Sequence, residues 1–346
     1  MICRFLITGK AGFFGTILKR ELMDAGHTCV SLDIVPDADK SERLTSILGD
    51  IRDKDLVERI FPEHRFDAVF HCAAMLAHDT KHIQDLWTSN VDGTKIIADA
   101  AIRHSVKKLV FTSSNCLWAK NFERPVTEEE PPAPIEIYGK SKWEDEKILF
   151  ACKEKLNSVI FRCPTIMDEG RLGLLGILFE FIDENRKLWM VGDGMNRYQF
   201  IYAKDLVQAF LLALNYDHTE IFNIGSDNVK TFNEVYGYVL AHSDSKSRLA
   251  HFPRNFAIAC MKIAHKLGMS PLGHYQYKMI ASSFVFDTTK IKVKLGFTPT
   301  KTNEEMLLKA YEFYHENRKA IQRRKNVSAH NECAKMGIIR LLKWLS

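Results

Sequence analysis

Tyr138 and Lys142, in the run Tyr138-Gly139-Lys140-Ser141-Lys142, have the spacing and types to move a proton. Residues i and i+4 share one face of a helix, so a phenol and an ammonium can meet at one site. A free tyrosine has a pKa of about 10 and is a poor base at neutral pH. A neighbouring positive charge favours the phenolate and turns the side chain into a usable proton carrier. The same spacing also occurs as an ordinary surface pair, so position in the fold has to decide.

A second constellation lies at the amino end. Gly9, Gly12 and Gly15 give G-x-x-G-x-x-G, with Phe13 and Phe14 inside it, between the apolar run 2–7 and a helical pattern through Ile17, Leu18, Leu22 and Met23. Such glycines permit a tight turn and let backbone N–H groups approach a pyrophosphate, and the helix N-terminus adds a favourable dipole. Asp33 ends the next apolar run, where a carboxylate can bind the adenosine ribose hydroxyls. Ile34, Val35 and Pro36 follow it and bring no cation for a 2′-phosphate, which selects NAD over NADP. Asp50 and Ile51 come after a third apolar run, placed either to meet an adenine edge or, for Asp50, to cap the next helix.

These residues need a scaffold, and the chain alternates the required elements. Strand patterns at 2–7, 29–32, 44–48, 68–71, 109–112 and 159–161 alternate with helical ones, notably 83–104 and 138–155. That is the βαβ signature of an α/β fold with a Rossmann-type, doubly wound parallel sheet. After residue 165 the period is broken by Gly170, Gly173, Gly176, Gly192 and Gly194. We read 1–165 as the NAD-binding domain and 166–315 as a smaller, discontinuous α/β substrate-binding part with segments returning to the sheet. Residues 316–346 read as a basic tail.

The 346 residues are 46% hydrophobic and 26% charged, which suits a globular protein with a large core. Eight cysteines without a C-x-x-C pair fit reduced thiols and a cytoplasmic location. No apolar run reaches membrane-spanning length, and the glycine loop follows residue 7 too closely for a signal peptide. His78 and His82 are spaced i, i+4 but have no evident third ligand, so no metal is expected. The net charge is +5, yet Glu316–Ser346 holds eight Lys/Arg against two Glu, leaving the body near neutral. That excludes a broad nucleic-acid surface. Wound as a helix, the tail sets Lys335, Arg340 and Lys343 opposite Ile338, Leu341, Trp344 and Leu345. It reads either as a peripheral anchor on anionic membrane or as a helix packed on the body or a dimer partner.

With these elements in place the sequence resembles the extended short-chain dehydrogenase/reductase family, in its NAD-dependent sugar epimerase/dehydratase branch. The resemblance covers about residues 2–315. It rests on TGKAGFFG at 8–15, Asp33, GDIRD at 49–53, FHCAA at 70–74, NVDGT at 90–94, FTSS at 111–114, YGKSK at 138–142, GDG at 192–194, FIYAKDL at 200–206 and FNIGS at 222–226. It implies that Ser114 hydrogen-bonds the reacting hydroxyl or carbonyl, Tyr138 transfers the proton, and Lys142 lowers the tyrosine pKa and holds the nicotinamide ribose. It implies further that Ala73, Ala74 and Asn90 line the cofactor pocket and that helices 83–104 and 138–155 form a homodimer, with Trp87, Ile96, Ile97, Trp143 and Leu149 supplying apolar surface.

The sequence departs from the family at three places. Ser114 is followed by Asn115 and Cys116 rather than an acid, which argues against dehydration, and Cys116 stands where the family's double epimerases carry an acid/base cysteine. Arg197, a candidate phosphate grip, comes one residue early in the R-x-F-x-Y-V pattern, and HYQYKM at 274–279 occupies the region of the family's R-P-G-D-like segment. The expected function is therefore an NAD-dependent epimerase or 4-ketosugar reductase acting on a nucleotide- or lipid-linked sugar. The alternatives are a 3β-hydroxysteroid or lipid-alcohol dehydrogenase of the same superfamily and, remotely, a catalytically silent NAD-binding scaffold.

Overall fold

Short runs rich in Val, Ile, Leu and Phe build the central sheet, and both of its faces are covered, as a parallel sheet requires. In the computed structural model, which describes residues 2–76, 82–267, 274–323 and 343, the chain begins β1 (Arg4–Thr8), α1 (Phe13–Asp24), β2 (Thr28–Asp33), β3 (Leu44–Leu48), α2 (Lys54–His64) and β4 (Ala68–His71). It continues through α3 (Ile83–Trp87), α4 (Gly93–Arg103), β5 (Lys108–Ser114), α5 (Ile137–Ala151), β6 (Asn157–Cys163), β7 (Thr165–Met167) and α6 (Leu175–Asp183). Next come β8 (Leu188–Val191), β9 (Phe200–Tyr202), α7 (Ala203–Ala213), β10 (Glu220–Asn223), α8 (Phe232–Ala241) and β11 (Leu249–Phe252). The last described helices are α9 (Arg254–Lys266), α10 (His274–Met279), α11 (Thr289–Leu295) and α12 (Asn303–Ile321).

Seven strands pair in the order β10-β6-β5-β4-β1-β2-β3, with every pair parallel. The period-2 alternation of a strand sorts side chains to two cores. Phe5, Ile7, Phe70, Val110 and Phe161 pack under α1 and α7 against Leu18, Leu22 and Phe210. Their neighbours Leu6, Val69, Leu109, Phe111 and Ile160 pack on the other face against Ile60, Phe61, Ile97 and Leu149 of α2, α4 and α5. Each such burial contributes roughly 1.5–3 kcal/mol. Ile97 and Leu149 are completely buried against the sheet, so they cannot supply the dimer surface expected of them.

Residues 83–104 form the expected helical run, but Thr88–Asp92 winds as a single π-helical turn between α3 and α4. Beyond β6 two smaller cores form. One joins α6, α8 and α12 through Phe179, Val239, Met306 and Tyr314. The other gathers Trp118, Phe122, Tyr275, Met279, Phe284 and Phe286. The strand β10 returns to the edge of the main sheet beside β6. The amphipathic tail lies outside the described residues except for Lys343, whose ammonium bonds Glu180 and Glu184 at 2.7 and 2.8 Å.

Candidate active site

The glycine loop is built by close backbone approach. Gly9 has φ +74°, and a Cβ there would lie 2.5 Å from the Ala73 nitrogen; a Cβ on Gly15 would lie 2.1 Å from the Gly9 carbonyl. Only glycine lets α1 start this near to β1 and to the segment after β4. Asp33 is aimed at this loop: one carboxylate oxygen accepts the Ala11 N–H at 2.9 Å and the other the Val35 N–H at 3.0 Å. Lys10 and Lys19, which sequence neighbours of Asp33 did not reveal, reach the same end of the sheet. Both meet Asp37, at 3.6 and 2.9 Å, and Lys19 also meets Asp39. Burial works against ionisation of Asp37, but these lysines hold its carboxyl below the ordinary range. Asp50 is not a helix cap. Asp53 caps α2, while Asp50 grips Arg52, which in turn reaches Thr88. Ile51 is buried against Gly93.

The π turn aims Asn90 inward. Its amide accepts the Met75 N–H at 2.7 Å, donates to the Met75 carbonyl and donates to Ser141 Oγ at 2.9 Å. Ser141 Oγ then donates to the Tyr138 carbonyl. Asn90 therefore ties the segment carrying Ala73 and Ala74 to the first turn of α5. Gly139 allows α5 to sit directly on the turn after β5, since a Cβ would lie 2.2 Å from the Cys116 carbonyl. A buried pair anchors the same helix from below. Glu146 takes Arg162 at 2.7 Å and the Ser113 hydroxyl at 2.6 Å.

These anchors bring Ser114, Tyr138 and Lys142 together. Burial pushes the Tyr138 phenol well above its ordinary value, Cys116 and Asp145 add to this, and the nearby Ser114 hydroxyl opposes it. Lys142 is buried with its ammonium 4.3 Å from the centre of the Phe111 ring and 3.9 Å from Asp145 Oδ2. Burial lowers its pKa, and Asp145 resists the change. Burial likewise pushes the Cys116 thiol up, so it is held neutral; its backbone N–H donates to Ser114 Oγ at 3.1 Å. Asn115 donates to the Tyr198 hydroxyl at 2.6 Å.

Arg197 is exposed and turned aside, its guanidinium donating to the Val229 carbonyl. Another arginine, not singled out by sequence, takes the inner position. Arg171 stacks its guanidinium over Phe13 of the glycine loop, 5.5 Å from the ring centre. Burial lowers its pKa to about 10 against the pull of Tyr198 and Tyr138. Its only sequence cue is the G-R-x-G setting in a loop after β7. A separate cavity of about 640 Å³ lies among Asn121, Asp193, Asn196, His251, Arg254 and Ser283. Among the described residues no cluster is arranged to hold a metal ion, and no helix is long and apolar enough to cross a membrane; His78 lies outside them.

Residues 5–225 match the model of the NAD dependent epimerase/dehydratase family. A Sinorhizobium fredii protein, y4nG, described as uncharacterised, is 31% identical over 98% of this chain and 85% of its own length. The UDP-glucose 4-epimerase of Lactobacillus helveticus is 25% identical over 92% of this chain and 99% of its own. Among solved structures, the Thermotoga maritima UDP-glucose 4-epimerase with UDP-glucose is similar at 26% identity and a TM-score of 0.72, covering 91% of this chain and 99% of that one. The Bordetella bronchiseptica enzyme WbmG in complex with NAD shares the fold at 21% identity and a TM-score of 0.75, covering 91% and 95%.

Proposed function

Because the chain belongs to the NAD dependent epimerase/dehydratase family, we propose that it is an epimerase or 4-ketosugar reductase of a nucleotide- or lipid-linked sugar. The protein is an NAD-dependent enzyme of the sugar epimerase/dehydratase class. Its residues fit the cofactor: the glycine loop leaves backbone N–H groups free of Cβ atoms, and Asp33 stands beside Ala11 to take ribose hydroxyls. When bound, NAD supplies the hydride acceptor and donor.

The observation that supports the reading is the Ser114 hydroxyl near the Tyr138 phenol, with Lys142 buried one turn further along the same helix. In this proposal Ser114 orients the substrate oxygen, Tyr138 takes and returns its proton, and the charge of Lys142 favours the phenolate. Cys116, neutral beside Ser114, is in reach to donate a proton rather than to act as a thiolate. Arg171 supplies a cation on the inner side that Arg197 does not, and suits a substrate phosphate. Residues 1–165 hold the cofactor and 166–315 mainly the substrate. The helices α3, α4 and α5 form a homodimer through half-buried Trp87, Ile96 and Trp143 with exposed Phe150. For the tail, the Lys343 contact with α6 favours packing on the body over a lipid anchor.

The test is proton NMR of purified protein with NAD and a panel of UDP- and dTDP-sugars and polyprenyl-phosphate sugars, and separately with NADH and a nucleotide-linked 4-ketosugar. Appearance of the epimer without net NADH supports the epimerase; net oxidation of NADH with a ketosugar supports the reductase. The apolar group of Tyr275, Met279 and Phe284 near Cys116 favours a second reading, a lipid-alcohol dehydrogenase. That enzyme would release NADH with a sterol alcohol and ignore every sugar.

A further inference from the structure

One surface remains unexplained by the active site. Residues 245–286 contain Lys246, Arg248, Arg254, Lys262, Lys266 and Lys278 and not a single Asp or Glu. Within this stretch α9 buries Ala257 and Ala264 but leaves Phe256 and Ile263 exposed, each at 60%, with Leu267 just past its end at 64% and its N–H still bonded to the Ile263 carbonyl. Cys260 is exposed between them. At the helical advance of about 100° per residue these four fall within an arc of about 60°, and Lys262 and Lys266 follow within the next 100° or so on one flank. An apolar stripe with cations at its edge is the pattern of a helix lying in a membrane interface.

We propose that this face of α9 docks on an anionic lipid bilayer. Charge selects the occupant. A second copy meeting this face with its own would present the same acid-free stretch 245–286, and the tail segment 324–342 carries Arg324, Lys325, Lys335 and Arg340 against one Glu332. Both would meet α9 with like charge. The elements packed on α9, β8 (LWMV) and α10 (HYQYKM), add no acid either. The stripe is also a narrow ridge on one helix, which suits a flat surface more than a partner that must enclose it. Phe256, Ile263 and Leu267 would enter the headgroup boundary, with the lysines on lipid phosphates.

The position of the helix gives the docking a consequence. Pro253 and Arg254, at the start of α9, line the 640 Å³ cavity together with Asp193 and His251. A docked α9 holds the mouth of that cavity beside the headgroups, where a sugar carried on a lipid phosphate is presented. This consequence rests on the proposed sugar chemistry; the docking does not.

The test is co-sedimentation of the full chain with vesicles of phosphatidylglycerol and phosphatidylcholine, against phosphatidylcholine alone. Binding is expected only to the anionic vesicles and should fall as salt shortens the Debye length from about 10 Å at 0.1 M to about 3 Å at 1 M. The variants F256S/I263S and K262E/K266E should each weaken partitioning about tenfold, with NAD affinity by calorimetry unchanged as proof of folding. The tail variant R340E/W344S, also in the full chain, should leave the α9 effect in place. The proposal is overturned if the wild type ignores anionic vesicles, if the α9 variants bind as well as wild type, or if only the tail variant loses binding. It is equally overturned if F256S/I263S changes the sedimenting mass of the lipid-free protein, which would make the stripe a contact between copies. Failure of every sugar assay would leave the vesicle result standing, so the two readings fail separately.

Discussion

The Lys142 ammonium lies 3.9 Å from Asp145 Oδ2, one turn along α5, with both side chains nearly or wholly buried. Around the pair stand His71 of β4, Cys72 just after it, Cys163 of β6, and Glu144 and Glu146 of the same helix. His71 bridges Thr8 at 2.6 Å and Thr94 at 2.9 Å, and burial pushes its pKa down to about 3, so it is neutral. Asp145 is thus the carboxylate that accompanies the charge of Lys142, and its own negative charge raises the pKa of both Lys142 and Tyr138.

Removing that negative charge lowers both values. The pH–rate profile of Asp145→Asn is therefore expected to move to lower pH on both limbs. An unmoved profile, or one displaced upward, would contradict this role. Stability gives a second readout. Burial raises the folded-state pKa of Asp145 to about 7, against an unfolded value of about 3.9. The folded protein binds the extra proton, so this contribution is full below about pH 4 and is lost as pH rises through 7. Urea denaturation across that window should show a steeper fall in wild type than in Asp145→Asn, because Glu128 and Asp205, also raised by burial, contribute equally to both.

Cofactor choice rests on two aspartates with different tasks. Asp33→Ser removes the ribose acceptor and should weaken NAD by about 1.5–3 kcal/mol, the worth of a hydrogen bond to a charged group. Asp37 occupies Lys10 and Lys19. Adding Asp37→Asn and Asp39→Asn, since Lys19 also pairs with Asp39, frees both cations and should tighten NADP well beyond the single variant. Calorimetry giving equal NADP affinity for the two would show that these lysines do not reach the 2′ position.

The Glu146–Arg162 pair is buried and holds α5 against β5 and β6. Glu146→Ala leaves an uncompensated guanidinium, and breaking such a pair costs about 3–5 kcal/mol. Denaturant unfolding should register a loss of that size. A loss below about 1 kcal/mol would place the pair with weakly contributing surface pairs.

The sequence made some of this legible. The parallel sheet showed because β1, β4 and β5 are continuous apolar runs, and Tyr138 and Lys142 showed because one helix face suffices to join them. Asp145 stood in plain view at i+3, but only its complete burial makes it consequential. Lys10 with Asp37, Asn90 with Met75 and Ser141, and Arg171 over Phe13 depend on crossovers that no local spacing encodes. The apolar residues of the helical segments were ambiguous for a similar reason. Ile97 and Leu149 serve the sheet, whereas Phe150, next in sequence, is partly exposed.

The central claim is that Tyr138 carries the proton in an NAD-dependent reaction. The direct measurement is turnover of Tyr138→Phe beside wild type on whichever sugar the NMR panel identifies, with NAD binding measured on the same samples. The variant keeps the ring and deletes only the hydroxyl. Turnover is expected to fall about 10²–10⁴-fold with NAD affinity nearly unchanged. Turnover within a few-fold of wild type, at equal NAD occupancy, would contradict the account.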